Sequence, residues 1–199
     1  MKKIMLYALS AGVVFIVCTN GFAASANDTS GKTEFDIALT VGAWLPGTID
    51  IEGYEVDKDM GFLGRGFVDA YLMPNFAAGA YINYFSGSLS DDGNSLDVWF
   101  YEFGIALKPK FIMNEKMAFK PGLNIGYRLN DRESMTTSPD EITESDGLGL
   151  NLSAEVIYSI NDSYSLLVDF GFLSQPAGGN EDANVTWAPI FYLNVGVLF

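Results

Sequence analysis

The chain ends Tyr192-Leu193-Asn194-Val195-Gly196-Val197-Leu198-Phe199. Phe191, Leu193, Val195, Val197 and Phe199 share one parity of an extended strand, and the last residue is aromatic. In water, a chain that stops inside an apolar strand leaves an open edge and a free carboxylate, which is a liability. In a bilayer the same ending is stable if the strand closes a barrel. Its edge then pairs with the first strand, and its apolar face meets lipid. The terminal stretch therefore predicts fold and solvent together.

The opposite end agrees. Lys2 and Lys3 precede an apolar run over 4–17, and small residues follow, with Gly21/Ala23 and Ala24/Ala26 both fitting a small-x-small cleavage pattern. A charged n-region, a short apolar stretch and small residues predict a secretory signal peptide over 1–23, with cleavage as late as 26 as the variant. The run is short for a membrane-spanning anchor, which needs about 20 residues. Cys18 is preceded by Val17 rather than by the small residue a lipidated cysteine requires. It falls in the discarded segment, so the mature chain has no disulfide and no cysteine metal site. Residues 24–33 read as a short flexible segment and 34–199 as one domain.

Hydrophobic residues make up 49% of the 199 residues and charged residues only 18%. Yet no mature segment reaches about 18 consecutive apolar residues, so the apolar content must be carried by alternation. The net charge is −14, and removing Lys2 and Lys3 makes it more negative still. That balance argues against nucleic acid as a partner. Histidine is absent, which removes every mechanism that needs an imidazole base or ligand.

Eight period-two segments follow. They lie at about 34–45, 61–73, 76–86, 96–112, 117–128, 148–158, 164–172 and the terminal stretch. In the fifth, Met117, Phe119, Leu123, Ile125 and Tyr127 alternate with Ala118, Lys120, Gly122, Asn124, Gly126 and Arg128. Tight turns at Met73-Pro74-Asn75, Asn114-Glu115-Lys116 and Asn161-Asp162-Ser163 alternate with long polar segments over 46–60, 87–95, 130–147 and 174–186. Short turns on one rim and long loops on the other are the layout of a membrane barrel, with the turns periplasmic. A secreted lipocalin-type barrel would alternate in the same way with its apolar face inward. The polar face decides against it, because Gly, Ala, Ser and Asn with a few charges suit a tight interior. Aromatics near strand ends also suit bilayer interfaces: Trp99 and Tyr101, Phe111 and Phe119, Tyr158 and Tyr164, Trp187 and Phe199. The fold expected is all-β, an eight-stranded antiparallel transmembrane barrel of meander topology.

With the signal peptide, strand count, turn-loop rhythm and Gly196 through Phe199 in place, the chain resembles the small eight-stranded outer-membrane barrels. That group includes the OmpA transmembrane domain, OmpX and OmpW. The resemblance implies an outer-membrane location in a Gram-negative bacterium, periplasmic termini, lipid as the surrounding partner and a monomer. It also implies recognition by the assembly machinery through the terminal strand, at Tyr192, Gly196, Val197 and Phe199. No motif selects one branch, so no functional residue is carried over.

An eight-stranded barrel is just wide enough for side chains to fill its interior. The inward-reading charges are Asp36, Asp69, Glu102, Glu155 and Asp169 against Arg65, Lys108, Lys120 and Arg128, with Asn124 among them. Buried charges must be paired. Three-residue turns at 114–116 and 161–163 set Glu102 opposite Arg128 and Glu155 opposite Asp169. The two carboxylates need a cation or a shared proton; Lys108, Lys120 or Arg65 can supply the cation from neighbouring strands, and a basic residue is expected to bridge them. The remaining acids crowd the loops, at Asp50, Glu52, Glu55, Asp57, Asp59, Asp91, Asp92, Asp97, Asp140, Glu141, Glu144, Asp146, Glu181 and Asp182. Oxygen ligands on loops suit Ca²⁺ or Mg²⁺, but the spacing matches no twelve-residue calcium loop, so a divalent cation is a weak expectation and a solvated acidic surface the stronger one.

Palmitoyltransferase and lipid A deacylase barrels resemble this size class and use a catalytic His, which this chain lacks. Ser153 beside Glu155 has no base of suitable pKa. No catalytic residue, cofactor or metal site is therefore expected. The leading reading is a structural or surface-interaction barrel with a side-chain-filled interior and acidic extracellular loops. The alternative is a narrow conduit for small, apolar solutes, and a lipid-modifying enzyme is a distant third.

Overall fold

The computed structural model describes residues 34–51, 53–91, 94–130, 146–161, 163–179 and 184–199. The expected signal peptide and the segment over 24–33 lie outside these residues, as does most of the loop over 130–147. Alternation of apolar and small or polar residues gives strands throughout: β1 (Phe35–Trp44), β2 (Gly47–Ile51), β3 (Tyr54–Lys58), β4 (Gly61–Met73), β5 (Phe76–Asp91), β6 (Asn94–Pro109), β7 (Phe111–Asn114), β8 (Met117–Asn130), β9 (Gly147–Ser159), β10 (Ser165–Gly178) and β11 (Val185–Leu198).

These eleven segments make eight walls of one closed antiparallel barrel. β1 runs on into β2 across Leu45-Pro46, where Pro46 has no amide to donate. Leu45 N still donates to Phe191 O at 2.8 Å. β3 runs on into β4 across Asp59-Met60, and β6 into β7 across Lys110. Closure is made by β1 on β11, from Ala38 opposite Leu198 to Trp44 opposite Tyr192.

Several loops expected from the sequence are strand. Within 46–60, β2 and β3 pair as a hairpin; β2 pairs with β11 at Val185–Trp187, and β3 with β5 at Leu89 and Ser90. β5 and β6 stay paired out to Asp91 opposite Asn94, and β10 and β11 extend well into the stretch over 174–186. Polar composition there marks strands standing above the lipid, not irregular chain. The 114–116 turn is also tighter than expected. Only Glu115 and Lys116 turn, and a one-residue shift between Ile112 and Asn114 keeps Leu107 opposite Leu123 and Ile105 opposite Ile125.

The barrel is inside-out. Leu39 is 64% exposed and Leu152 58%, whereas Lys108, Lys120 and Arg128 are fully buried. The outward apolar face is a lipid belt, bounded by Tyr84 and Tyr101 at the hairpin end and by Phe111, Tyr164 and Phe199 at the short-turn end. Among the aromatics placed at interfaces from sequence, Trp187 is the exception, because it is buried inside the barrel. The register shifts by one residue between Leu173, opposite Ile190, and Gln175, opposite Trp187. A β-bulge inverts the parity beyond it.

The belt predicts a depth-dependent response. Ile125→Arg near the midplane should cost about 2–4 kcal/mol, and Phe119→Arg near the rim about 0–1 kcal/mol. Urea unfolding in lipid vesicles measures both, and equal costs would contradict the assigned depths.

Candidate functional site

Among the described residues, charged groups converge in the interior, which has two tiers. In the lower tier the strand registers deliver cations against carboxylates. Glu102 sits directly opposite Arg128 on β6 and β8 and pairs with its Nη2. The other Glu102 oxygen accepts from Tyr81 Oη at 2.8 Å, from Asn83 Nδ2 at 3.1 Å and from Asn151 Nδ2. One carboxylate thus ties β5, β6, β8 and β9 together. A Cβ at Gly149 would collide with this carboxylate, so only glycine leaves it room.

Glu155 and Asp169 face each other on β9 and β10. No single base bridges them, contrary to the expectation. Lys108 Nζ holds Glu155 at 2.7 Å with Lys120 at 3.5 Å, while Arg65 Nη1 holds Asp169 at 3.0 Å. Each carboxylate thus has its own cation: Lys108 and Lys120 on Glu155, and Arg65 on Asp169. Both lysines also reach Asp69, at 2.9 and 2.7 Å, and Lys120 continues to Asp36 at 3.0 Å in the half-open lower mouth. Arg65 Nε and Nη2 have no hydrogen-bond partner, but the guanidinium lies 5.5 and 5.4 Å from the Phe67 and Tyr81 rings. Asn124 carries no ion pair and donates to Ser153 Oγ at 3.0 Å.

The upper tier is aromatic and aliphatic. Trp44, Phe85, Phe100 and Trp187 pack centroid to centroid at 4.8 to 6.5 Å, with Leu63, Leu173 and Ile190 around them. This stopper was not expected from sequence. Trp44, Phe85 and Phe100 lie on the inward parity and could have been read from it. Trp187 could not, because the bulge hides it; Pro189 was the available signal. Arg128 joins the tiers, its guanidinium 4.2 Å from the Trp187 ring.

Lys58 seals the top from the β2–β3 hairpin, above the lipid belt. Its Nζ donates to Trp44 O at 3.2 Å and Leu45 O at 2.8 Å, and lies 3.8 Å from the Trp44 ring centroid. Burial pulls its pKa from 10.5 down to about 8, against the opposing pull of Asp59. Among the described residues no group of three acids, cysteines or histidines converges to hold a metal.

In the terminal strand, Val197 and Phe199 point outward while Tyr192 points into the lumen. There its hydroxyl accepts from Arg65 at 2.8 Å and donates to Asp169 Oδ1 at 2.8 Å. Gly196 takes the inward parity opposite Thr40, where a Cβ would collide with the β1 backbone.

Residues 14–199 match the family described as outer membrane protein beta-barrel domain. The chain belongs to that family. Its location is the outer membrane, with lipid around its belt, and the short-turn rim faces the periplasm. No curated protein matches this outer-membrane barrel by sequence. It is similar in fold to the crystal structure of Neisserial surface protein A, with 13% identity, 84% of this chain and 97% of that one covered, and a TM-score of 0.59. It is likewise similar to the outer membrane protein OprG from Pseudomonas aeruginosa, with 13% identity, 86% and 99% covered, and a TM-score of 0.56.

The network of this barrel predicts non-additivity. Glu102→Leu alone strands Arg128 and should cost about 3–5 kcal/mol, whereas Glu102→Leu with Arg128→Met should cost less than the single change. Urea midpoints compare the two.

Lys58 predicts a pH response. Its folded-state pKa lies below the unfolded value, so the unfolded chain binds more protons between about pH 8 and 10.5, and hairpin seating strengthens as pH rises through that window. Trp44 emission should step near pH 8, and the step should vanish in Lys58→Met.

Proposed function

We propose that this barrel is a closed structural element of the outer membrane that displays an acidic face to the exterior. The aromatic stopper carries this reading. Trp44, Phe85, Phe100 and Trp187 occupy the cross-section at the extracellular end, above a tier of paired charges. A solute would have to displace both.

What meets the exterior is acidic. Glu55, Asp57 and Asp59 are exposed on and beside the β2–β3 hairpin, and Asp97 is exposed on β6. The one base of that hairpin, Lys58, is turned inward. The acids at Asp140, Glu141, Glu144, Glu181 and Asp182 belong to the same end by sequence but lie outside the described residues. A surface of this sign repels lipopolysaccharide phosphates and favours cationic partners. The barrel acts without catalysis and as a monomer, and the assembly machinery reads Val197 on the outward face of β11 together with Phe199 just beyond it.

Planar-bilayer recording tests the closed lumen. The native chain should give no unitary current, and Trp187→Ala with Phe100→Ala should introduce one. Steady conductance from the native chain would favour the conduit. Cells lacking the protein should lose surface adhesion without gaining sensitivity to a small solute, and the reverse would also favour the conduit.

A further inference from the structure

Two lysines and two carboxylates form a ring in the lower tier. Asp69 on β4, Lys108 on β6, Lys120 on β8 and Glu155 on β9 are its members, and all four side chains are fully buried. Lys108 Nζ lies 2.9 Å from Asp69 Oδ2 and 2.7 Å from Glu155 Oε1. Lys120 Nζ reaches the same Asp69 oxygen at 2.7 Å, and the other Glu155 oxygen, Oε2, at 3.5 Å. The Phe67 ring covers Lys108, its centroid 3.5 Å from Nζ.

The wall brings Asp69 and Lys108 together. Their strands do not pair, and β5 runs between them. β5 places Gly79 opposite Asp69 and Ala77 opposite Lys108. A Cβ at Gly79 would collide with the Asp69 carboxylate. The two side chains therefore meet over small residues of β5.

A primary amine, a carboxyl carbon and a proton acceptor within hydrogen-bond reach are the parts of a condensation. Burying an ion pair is costly, and an amide carries no charge. Arginine cannot take the amine's place, because its guanidinium stays protonated, so Arg65–Asp169 and Arg128–Glu102 remain ionic. The asymmetry of Asp69 sets the direction. Both ammoniums converge on Oδ2, whereas Oδ1 has no hydrogen-bond partner. Oδ2 is thus the oxygen placed to take up protons and leave. Glu155 divides its oxygens between the two lysines, which suits a proton carrier.

We propose that Lys108 and Asp69 condense to an isopeptide bond once the barrel has closed. Lys108 Nζ gives a proton to Glu155 Oε1 and attacks Asp69 Cγ. The N–C bond forms and the Cγ–Oδ2 bond breaks. Oδ2 departs as water, with one proton from the attacking nitrogen and one returned by Glu155, while Lys120 steadies its charge. The three protons of the ammonium end as one on the amide and two in the water, so no oxidant or cofactor is needed. The water leaves by the half-open mouth at Asp36. The product staples β4 to β6 across β5 and removes one cation and one anion from the lumen. It is internal and does not depend on what the exterior meets.

The test takes the full barrel, purified folded, then denatures it and cleaves after methionine with cyanogen bromide. Cuts at Met60, Met73 and Met113 put Asp69 in fragment 61–73 and Lys108 in fragment 74–113. Mass spectrometry should find these two fragments joined, lighter by one water than the pair. Lys108→Arg, which keeps the charge, and Glu155→Gln, which keeps the shape, should each release them separately. Heat-modifiable migration checks that both variants fold. Separate fragments from the folded native chain would overturn the proposal. So would joining that survives in either folded variant, or fragment 61–73 attached instead to fragment 118–135, which carries Lys120.

Discussion

Closure of β1 on β11 is the constraint from which the rest follows. Hydrocarbon offers no partner to an unpaired amide or carbonyl, so a sheet that crosses it can have no edge. Seven consecutive pairs, Ala38 with Leu198 through Trp44 with Tyr192, remove the last edge. The same requirement explains why β2 and β3 continue the wall above the belt. Where β1 and β4 end, the hairpin takes their places beside β11 and β5.

Once the tube is closed, eight strands leave space for little besides side chains. The interior charges then answer to one another. Asp36, Asp69, Glu102, Glu155 and Asp169 face Arg65, Lys108, Lys120 and Arg128, and each of these four cations reaches at least one carboxylate. Glycines stand where a long side chain crosses: Gly79 beside Asp69 and Gly149 beside Glu102. Above this tier the filling changes from ionic to aromatic, so the two ends of one lumen differ in polarity.

Much of this was legible in the chain. Strict alternation from Phe199 back through the terminal strand, and along 117–128, set the outward face and with it the register that brings Glu102 to Arg128. Strand ends were less legible, because above the membrane both faces are polar and a paired strand reads as a loop, as over 46–60 and 87–95. Most of the stopper was legible: Trp44, Phe85 and Phe100 keep the parity, whereas the one-residue shift near Pro189 turns Trp187 inward against it. Tyr192 was assigned to assembly from its place in the terminal strand, and its hydroxyl works in the lumen. Pairing partners across the tube, such as Arg65 with Asp169, depend on shear and side-chain reach, which period-two patterns do not encode.

Arg65 and Asp169 are 104 residues apart in sequence, and Asn194 and Thr40, joined at 3.1 Å, are 154 apart. The first strut crosses the lumen from β4 to β10, and the second ties β11 to β1 at the closing seam. A half-formed sheet entering hydrocarbon would therefore carry lone charges on its concave side. Pairing Arg65 with Asp169 and closing β1 on β11 are thus one event, so the last ion pair of the lumen also reports that the cylinder is complete.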